Sequence, residues 1–195
     1  ILTIDIMRGL TLFLMLFVND LYMKNVPWWL GHTEADFDGM GLADWVFPGF
    51  LFMVGMAVPF AVQSRLRKGD STGQVLLHIF IRTFSLLIIG VLMLNSSRLN
   101  PELTGMHRNL WAILMYISVF LIWNLYRNIS RKLIFLLKGL GIAGLVVLVY
   151  IFRSGTSEDP GWLTTGWWGI LGLIGWGYFA TAMVYLVAKE NLMKT

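Results

Sequence analysis

An acid, a base and an amide recur along one side of the first apolar stretch. At 100° per residue Asp5, Arg8, Leu12, Met15 and Asn19 share one narrow stripe of a helix. Asn19 stands about 16 Å along the axis from Arg8 at the helical rise. A charge at the centre of a bilayer costs about 3 kcal/mol or more, so residues of this kind turn toward a bundle interior or a wet cavity. Taken alone, Asp5 and Arg8 fit equally well an i,i+3 pair that anchors the helix at an interface. Asn19, deeper in the stripe, tips the reading toward a polar cavity.

Three further groups have types suited to chemistry. His32 is followed by Glu34, Asp36 and Asp38 before Gly39. A calcium loop does not fit, because counting Glu34 as the first position puts Trp45 where the motif needs a bidentate glutamate. What is left is a histidine beside three carboxylates. It is an ordinary surface histidine or the one side chain here suited to moving protons near neutral pH. Asp44 lies one turn before Pro48, which lacks the N–H that would bond the Asp44 carbonyl. That pair reads as a simple kink or as the edge of a cavity, and both residues are candidates for shaping a site. His78 and Arg82 are spaced i,i+4. Arg82 either snorkels to the interface or holds a phosphate with its planar fork.

The elements that must position these groups are membrane spans. Of 195 residues 57% are hydrophobic and 13% charged, with a mean hydropathy of +0.70, whereas a soluble domain carries roughly 25% charged residues. The net charge of +4 sits in short loops between apolar blocks, which is a membrane pattern and excludes nucleic acid as the partner. There is no cysteine, hence no disulfide, no thiolate chemistry and no cysteine metal site, and no metal is expected. Six blocks reach the roughly 20 apolar residues that a span needs: about 5–23, 42–62, 75–95, 108–126, 132–152 and 166–188. The first reads as a retained span, not a cleaved leader, because Asp5 and Arg8 precede its apolar run.

Charge in the connections sets orientation. Arg65, Arg67, Lys68, Arg127, Arg131, Lys132, Lys189 and Lys194 fall on one side, against Lys24, Arg98, Arg108 and Arg153 on the other. The positive-inside rule therefore places both termini in the cytoplasm and His32 outside. Trp28, Trp29, Trp45, Trp111, Trp162, Trp167 and Trp168 fall at the outer boundary as an interfacial belt. Gly166, Gly169, Gly172 and Gly175, with Gly139, Gly141 and Gly144, read as close helix packing. The expected fold is all-α: one transmembrane domain over residues 1–195, a polytopic membrane helix bundle of about six helices in contact with lipid.

With these residues assembled, the chain resembles the heparan-α-glucosaminide N-acetyltransferase family and its bacterial relatives. The likeness runs through IDIMRGLT at 4–11, LFVN at 16–19, His32, Asp38-Gly39, LADWVFP at 42–48 and FLFMVG at 50–55. It thins to Arg82, Gly90 and Asn95, then Leu110-Trp111 and LIWN at 121–124. The resemblance implies a multi-pass protein of the bacterial inner membrane. It would take acetyl from cytosolic acetyl-CoA, its donor substrate, and deliver it to an amino sugar or related small acceptor on the far side. It also implies that His32 is the catalytic histidine and Asn19 its essential neighbour. Two departures stand out. Between the histidine and the DG step the chain carries two more residues than the family's lysosomal member, which would displace His32 and bring Glu34 or Asp36 near the acceptor. Family members also have about ten or eleven spans, so this chain corresponds to an amino-terminal portion.

Charge counting and resemblance meet on one geometry. On it Arg8 and Arg82 would meet the phosphates of acetyl-CoA from inside, and the thioester would reach along the stripe to Asn19. His32 as general base contributes about 10²–10⁴-fold, and an Asn19 N–H on the thioester oxygen about 3 kcal/mol. Whether acetyl passes directly or rests on the imidazole stays open, as does homo-oligomer formation. The competing readings are a transporter built on the polar stripe and a proline-broken helix, and a non-catalytic membrane scaffold.

Overall fold

The computed structural model describes residues 2–22, 26–34 and 36–192. Lys24 and Lys194, counted above among the loop charges, lie outside them, as does the side chain of Lys189. Among the described residues seven α-helices follow one another: α1 Leu2–Asp20, α2 Leu42–Arg67, α3 Thr72–Ser96, α4 Pro101–Thr104, α5 Arg108–Trp123, α6 Arg131–Ile151 and α7 Gly169–Leu192. A 3-10 turn at Trp28–Leu30 lies between α1 and α2, and a small antiparallel ribbon pairs Ser154 with Gly161 and Gly155 with Pro160. The chain is an all-α, multi-pass membrane protein. Among the described residues five helices (α1, α2, α3, α6 and α7) are long and apolar enough to cross a bilayer. The remaining expected span, the fourth block at 108–126, is α5, which has 16 residues, about 24 Å of helix against a core of roughly 30 Å.

Two expectations need correction. The helix carrying Asp44 is not broken at its prolines: α2 runs unbroken through Pro48 and Pro59. Each proline removes one backbone bond, and the bonds on either side keep the helix continuous. Trp111 is not part of an interfacial belt, since its side chain is wholly buried.

The helices group into two compact units, one of residues 1–83 with 174–195 and one of residues 84–173. In the first, α1 packs on α2 through Val18, Ala43 and Val46, with Leu14, Met15 and Leu42 at the edge. A second seam joins three helices through pairs spaced i,i+4: Val58 and Val62, Val75 and Ile79, Tyr178 and Ala182. Such spacing stacks two side chains on one helix face.

In the second unit the core is Leu92, Leu99, Trp111, Met115, Leu145, Leu148 and Phe152. A helix ends with carbonyls that lack intrahelical partners, and α6 has its last ones met by side chains. Trp111 Nε1 donates to Leu148 O at 3.0 Å, Trp162 Nε1 to Val149 O at 2.9 Å, and Arg153 to Tyr150 O at 2.8 Å. The buried indole thus finds the acceptor it needs. Asn95, also fully buried, bonds both main-chain groups of Thr164, Nδ2 to the carbonyl at 2.8 Å and Oδ1 from the N–H at 3.0 Å. Gly90 lies against the main chain of Trp168 and Gly172, where any side chain would collide. Gly141 and Gly144 sit equally tightly on Ser118, while Gly139 faces open space.

Candidate functional site

The loop after the 3-10 turn is drawn onto the start of α2 by a backbone contact. The Gly31 carbonyl occupies the space that a Gly41 side chain would fill, so the glycine permits an approach no other residue allows. Gly41 is the N-cap of α2 and Asp44 its third residue. From there the carboxylate reaches back to the Gly41 N–H at 3.0 Å, the reciprocal half of a capping box. It also accepts from the Thr33 N–H at 3.1 Å and the Thr33 hydroxyl at 3.0 Å. Its other oxygen lies 2.7 Å from His32 Nδ1.

This arrangement fixes the chemistry of the imidazole. An ionised carboxylate only accepts, so Nδ1 carries a proton toward Asp44, and in the neutral form of the ring the acceptor is Nε2. The Asp44 side chain is 23% exposed and that of His32 67%, which leaves the acid sheltered and the ring reachable. A cavity of about 450 Å³ opens beside it, lined by Val26, Pro27, Trp28, Thr33, Glu34 and Phe37 among others. Trp28 and Phe37 meet edge to face at 5.6 Å.

A second cavity, of about 360 Å³, lies further along α2. Its polar lining is Asp5, Arg8, Arg82 and Tyr178, and its wall is apolar: Ile4, Val54, Ala57, Val58, Phe60 and Ala61. Asp5 and Arg8 stand 3.8 Å apart with both side chains at least half exposed, a loose pair that contributes little stability. The Arg82 guanidinium lies over the Tyr178 ring, 4.9 Å from its centre. Nearby, Arg65 bonds Asp70 at 2.9 Å and donates to His78 Nδ1 at 3.2 Å. The His78–Arg82 spacing thus separates into two roles: His78 goes to Arg65, and Arg82 to the cavity.

The residues singled out from sequence fall into two groups and two outliers. His32 and Asp44 come together, and so do Asp5, Arg8 and Arg82. Asn19 is exposed and lines neither cavity, and Pro48 is exposed and lines neither. The reason for the first is angular. The packed face of α1 is set by Thr11 and Val18, and the stripe of Asp5, Arg8, Leu12, Met15 and Asn19 is centred roughly a quarter turn away on the flank. The two cavities share no lining residue. From Asp44 to Val54–Ala61 is about 15–25 Å along α2. Sequence reading missed Thr33, Gly31, Gly41 and Tyr178. Thr33 adjoins the histidine and a glycine before a helix start is a visible cue, but nothing local ties Tyr178 to Arg82.

A family model described as "Domain of unknown function (DUF5009)" matches residues 2–194. The human protein named heparan-alpha-glucosaminide N-acetyltransferase is 37% identical over 93 residues, 48% of this chain and 13% of the human one. Its mouse counterpart is 38% identical over 92 residues, 47% of this chain and again 13% of the relative. The chain thus matches a small part of the length of these relatives, in line with the resemblance drawn from the motifs. No solved structure matches it.

Proposed function

This chain belongs to the DUF5009 family, and on that footing we propose that it is the part of a membrane acetyltransferase that carries the base and the donor's anion site. The observation that carries the reading is the His32–Asp44 pair. The carboxylate holds Nδ1 at 2.7 Å, which presents Nε2 as a proton acceptor beside a cavity able to take a small polar molecule. Histidine positioned by a carboxylate is the recurring device for activating a nucleophile in acyl transfer.

The donor proposed is acetyl-CoA, bound as a substrate. The inner cavity suits it: Arg8 and Arg82 offer guanidinium forks for phosphate oxygens, and the apolar α2 wall suits the uncharged arm. Asp5 reduces the lining charge to about +1 by formal count, and its pairing with Arg8 directs that cation toward the same space. Charge counting in the loops places this end at the cytoplasmic side. The acceptor proposed is an amine, an amino sugar or a related compound, in the cavity beside His32, with Glu34 on its wall.

The reaction then follows from the groups present. The acceptor nitrogen passes a proton to His32 Nε2 and forms a bond to the thioester carbonyl carbon. The carbon–sulfur bond breaks, and the proton returns from the imidazole to the departing sulfur. The products are an amide and a free thiol. The acetyl group must cross the 15–25 Å between the cavities, and the flank of α1 with Leu12, Met15 and Asn19 runs along that interval. A bacterial inner-membrane setting accords with donor inside and acceptor outside.

The test is acetyl transfer by the intact protein in lipid nanodiscs, from acetyl-CoA to a panel of hexosamines. His32→Ala is expected to lower kcat by about 10²–10⁴-fold, the usual contribution of a general base, with CoA still bound. Full activity in that variant sinks the assignment of the base.

A further inference from the structure

Arg82 is a cation in the first half of a membrane helix, and among the described residues it forms no ion pair. Among the described residues the acid lining its cavity, Asp5, is the partner of Arg8. What lies against Arg82 is the face of Tyr178, at 4.9 Å from the ring centre. That ring is itself held still. Tyr178 is 6% exposed, packed in the three-helix seam with Val58, Val62, Val75, Ile79 and Ala182. A rigid aromatic face therefore supports a cation on a flexible stem, at the wall of the cavity.

We propose that Tyr178 is a positioning residue for the donor's anion site: its ring face fixes Arg82 so that the guanidinium meets a phosphate of the donor already oriented. A guanidinium lying on a ring uses its π surface there and leaves its N–H fork free in the plane, where phosphate oxygens bind. Ordering an arginine for binding costs rotamer freedom, and a side chain ordered beforehand avoids that loss on binding. Asp5, by contrast, is placed to direct Arg8 only. The inference rests on the donor reading above and extends it to a residue 96 positions along the chain from Arg82.

The experiment measures CoA affinity of the intact protein in nanodiscs by calorimetry, with the KM for acetyl-CoA and kcat alongside. Tyr178→Leu is expected to weaken CoA about tenfold, the scale of a partly desolvated cation–π contact, raising KM while kcat holds. Tyr178→Phe, which keeps the ring, restores the affinity. A series of ring-fluorinated phenylalanines at position 178 weakens CoA stepwise as the ring face loses its negative charge, with the thermal midpoint unchanged. If the unsubstituted protein fails to bind CoA, the donor reading falls and this inference with it. If it binds CoA and Tyr178→Leu binds as tightly, the positioning role alone is wrong. Indifference to fluorination, with loss in Tyr178→Leu, reduces Tyr178 to a packing residue and likewise overturns the proposal.

Discussion

At the scale of single residues, the site depends on what Asp44 accepts. Four donors converge on its carboxylate: His32 Nδ1, both the N–H and the hydroxyl of Thr33, and the Gly41 N–H. Replacing the acid by its amide keeps the shape and changes the proton logic. An asparagine can turn its NH₂ toward His32, which moves the ring proton to Nε2 and removes the base. Asp44→Asn is therefore expected to lower kcat by about 10²-fold or more while CoA binding at the other cavity stays intact. Steady-state kinetics with calorimetry checks this, and an unchanged kcat would mean that the carboxylate only caps α2. The sequence made His32 and Asp44 visible separately. It did not show that they touch, because a 12-residue separation across a loop carries no periodic signal.

Among the elements, α6 and α5 show how a helix end is closed inside a membrane protein. The carbonyls of Leu148 and Val149 are met by the indoles of Trp111 and Trp162. Trp111 also packs on Phe152 at 5.5 Å between ring centres. Trp111→Phe keeps most of the apolar contact and leaves the buried Leu148 carbonyl without that donor. A loss of about 1–3 kcal/mol is expected, the cost of an unsatisfied buried polar group. Thermal unfolding in detergent measures it, and an unshifted midpoint would show that water or another donor replaces the indole. Sequence assigned this tryptophan to the interface because its position along the chain matches a span end. Depth within a span is legible from sequence, but the side of the helix on which a tryptophan lies is not. The same limit explains α1, whose polar stripe is real as a periodicity but lies on the flank of the packed face set by Thr11 and Val18.

For the whole molecule, the arrangement of charge across the membrane is the feature on which the proposed transfer, with donor inside and acceptor outside, depends. The chain has no cysteine, so single cysteines report sidedness directly. Glu34→Cys is expected to react with a membrane-impermeant maleimide added outside intact cells, and Lys68→Cys only after the membrane is opened. The opposite pattern would reverse the orientation and put the base on the donor's side. Gly90 against Gly172, and Gly141 with Gly144 against Ser118, show that small residues set how closely helices approach within the second unit. Lipid gives no hydrophobic drive between helices, so contact of backbones and side chains takes over that role.

Sequence by itself determined that this is an all-α membrane protein, roughly where its helices run, and which residues have types suited to moving protons or holding anions. The reason is that a bilayer demands long apolar runs and penalises charge, so both stand out in a linear reading. Tertiary structure alone decided the partners: Asp44 for His32, Tyr178 for Arg82, a buried place for Trp111 and an exposed flank for Asn19. Helices that are apolar all round do not declare which face packs. That choice is made by the fit of pairs such as Val58 and Val62 against Tyr178 and Ala182, contacts between segments more than a hundred residues apart.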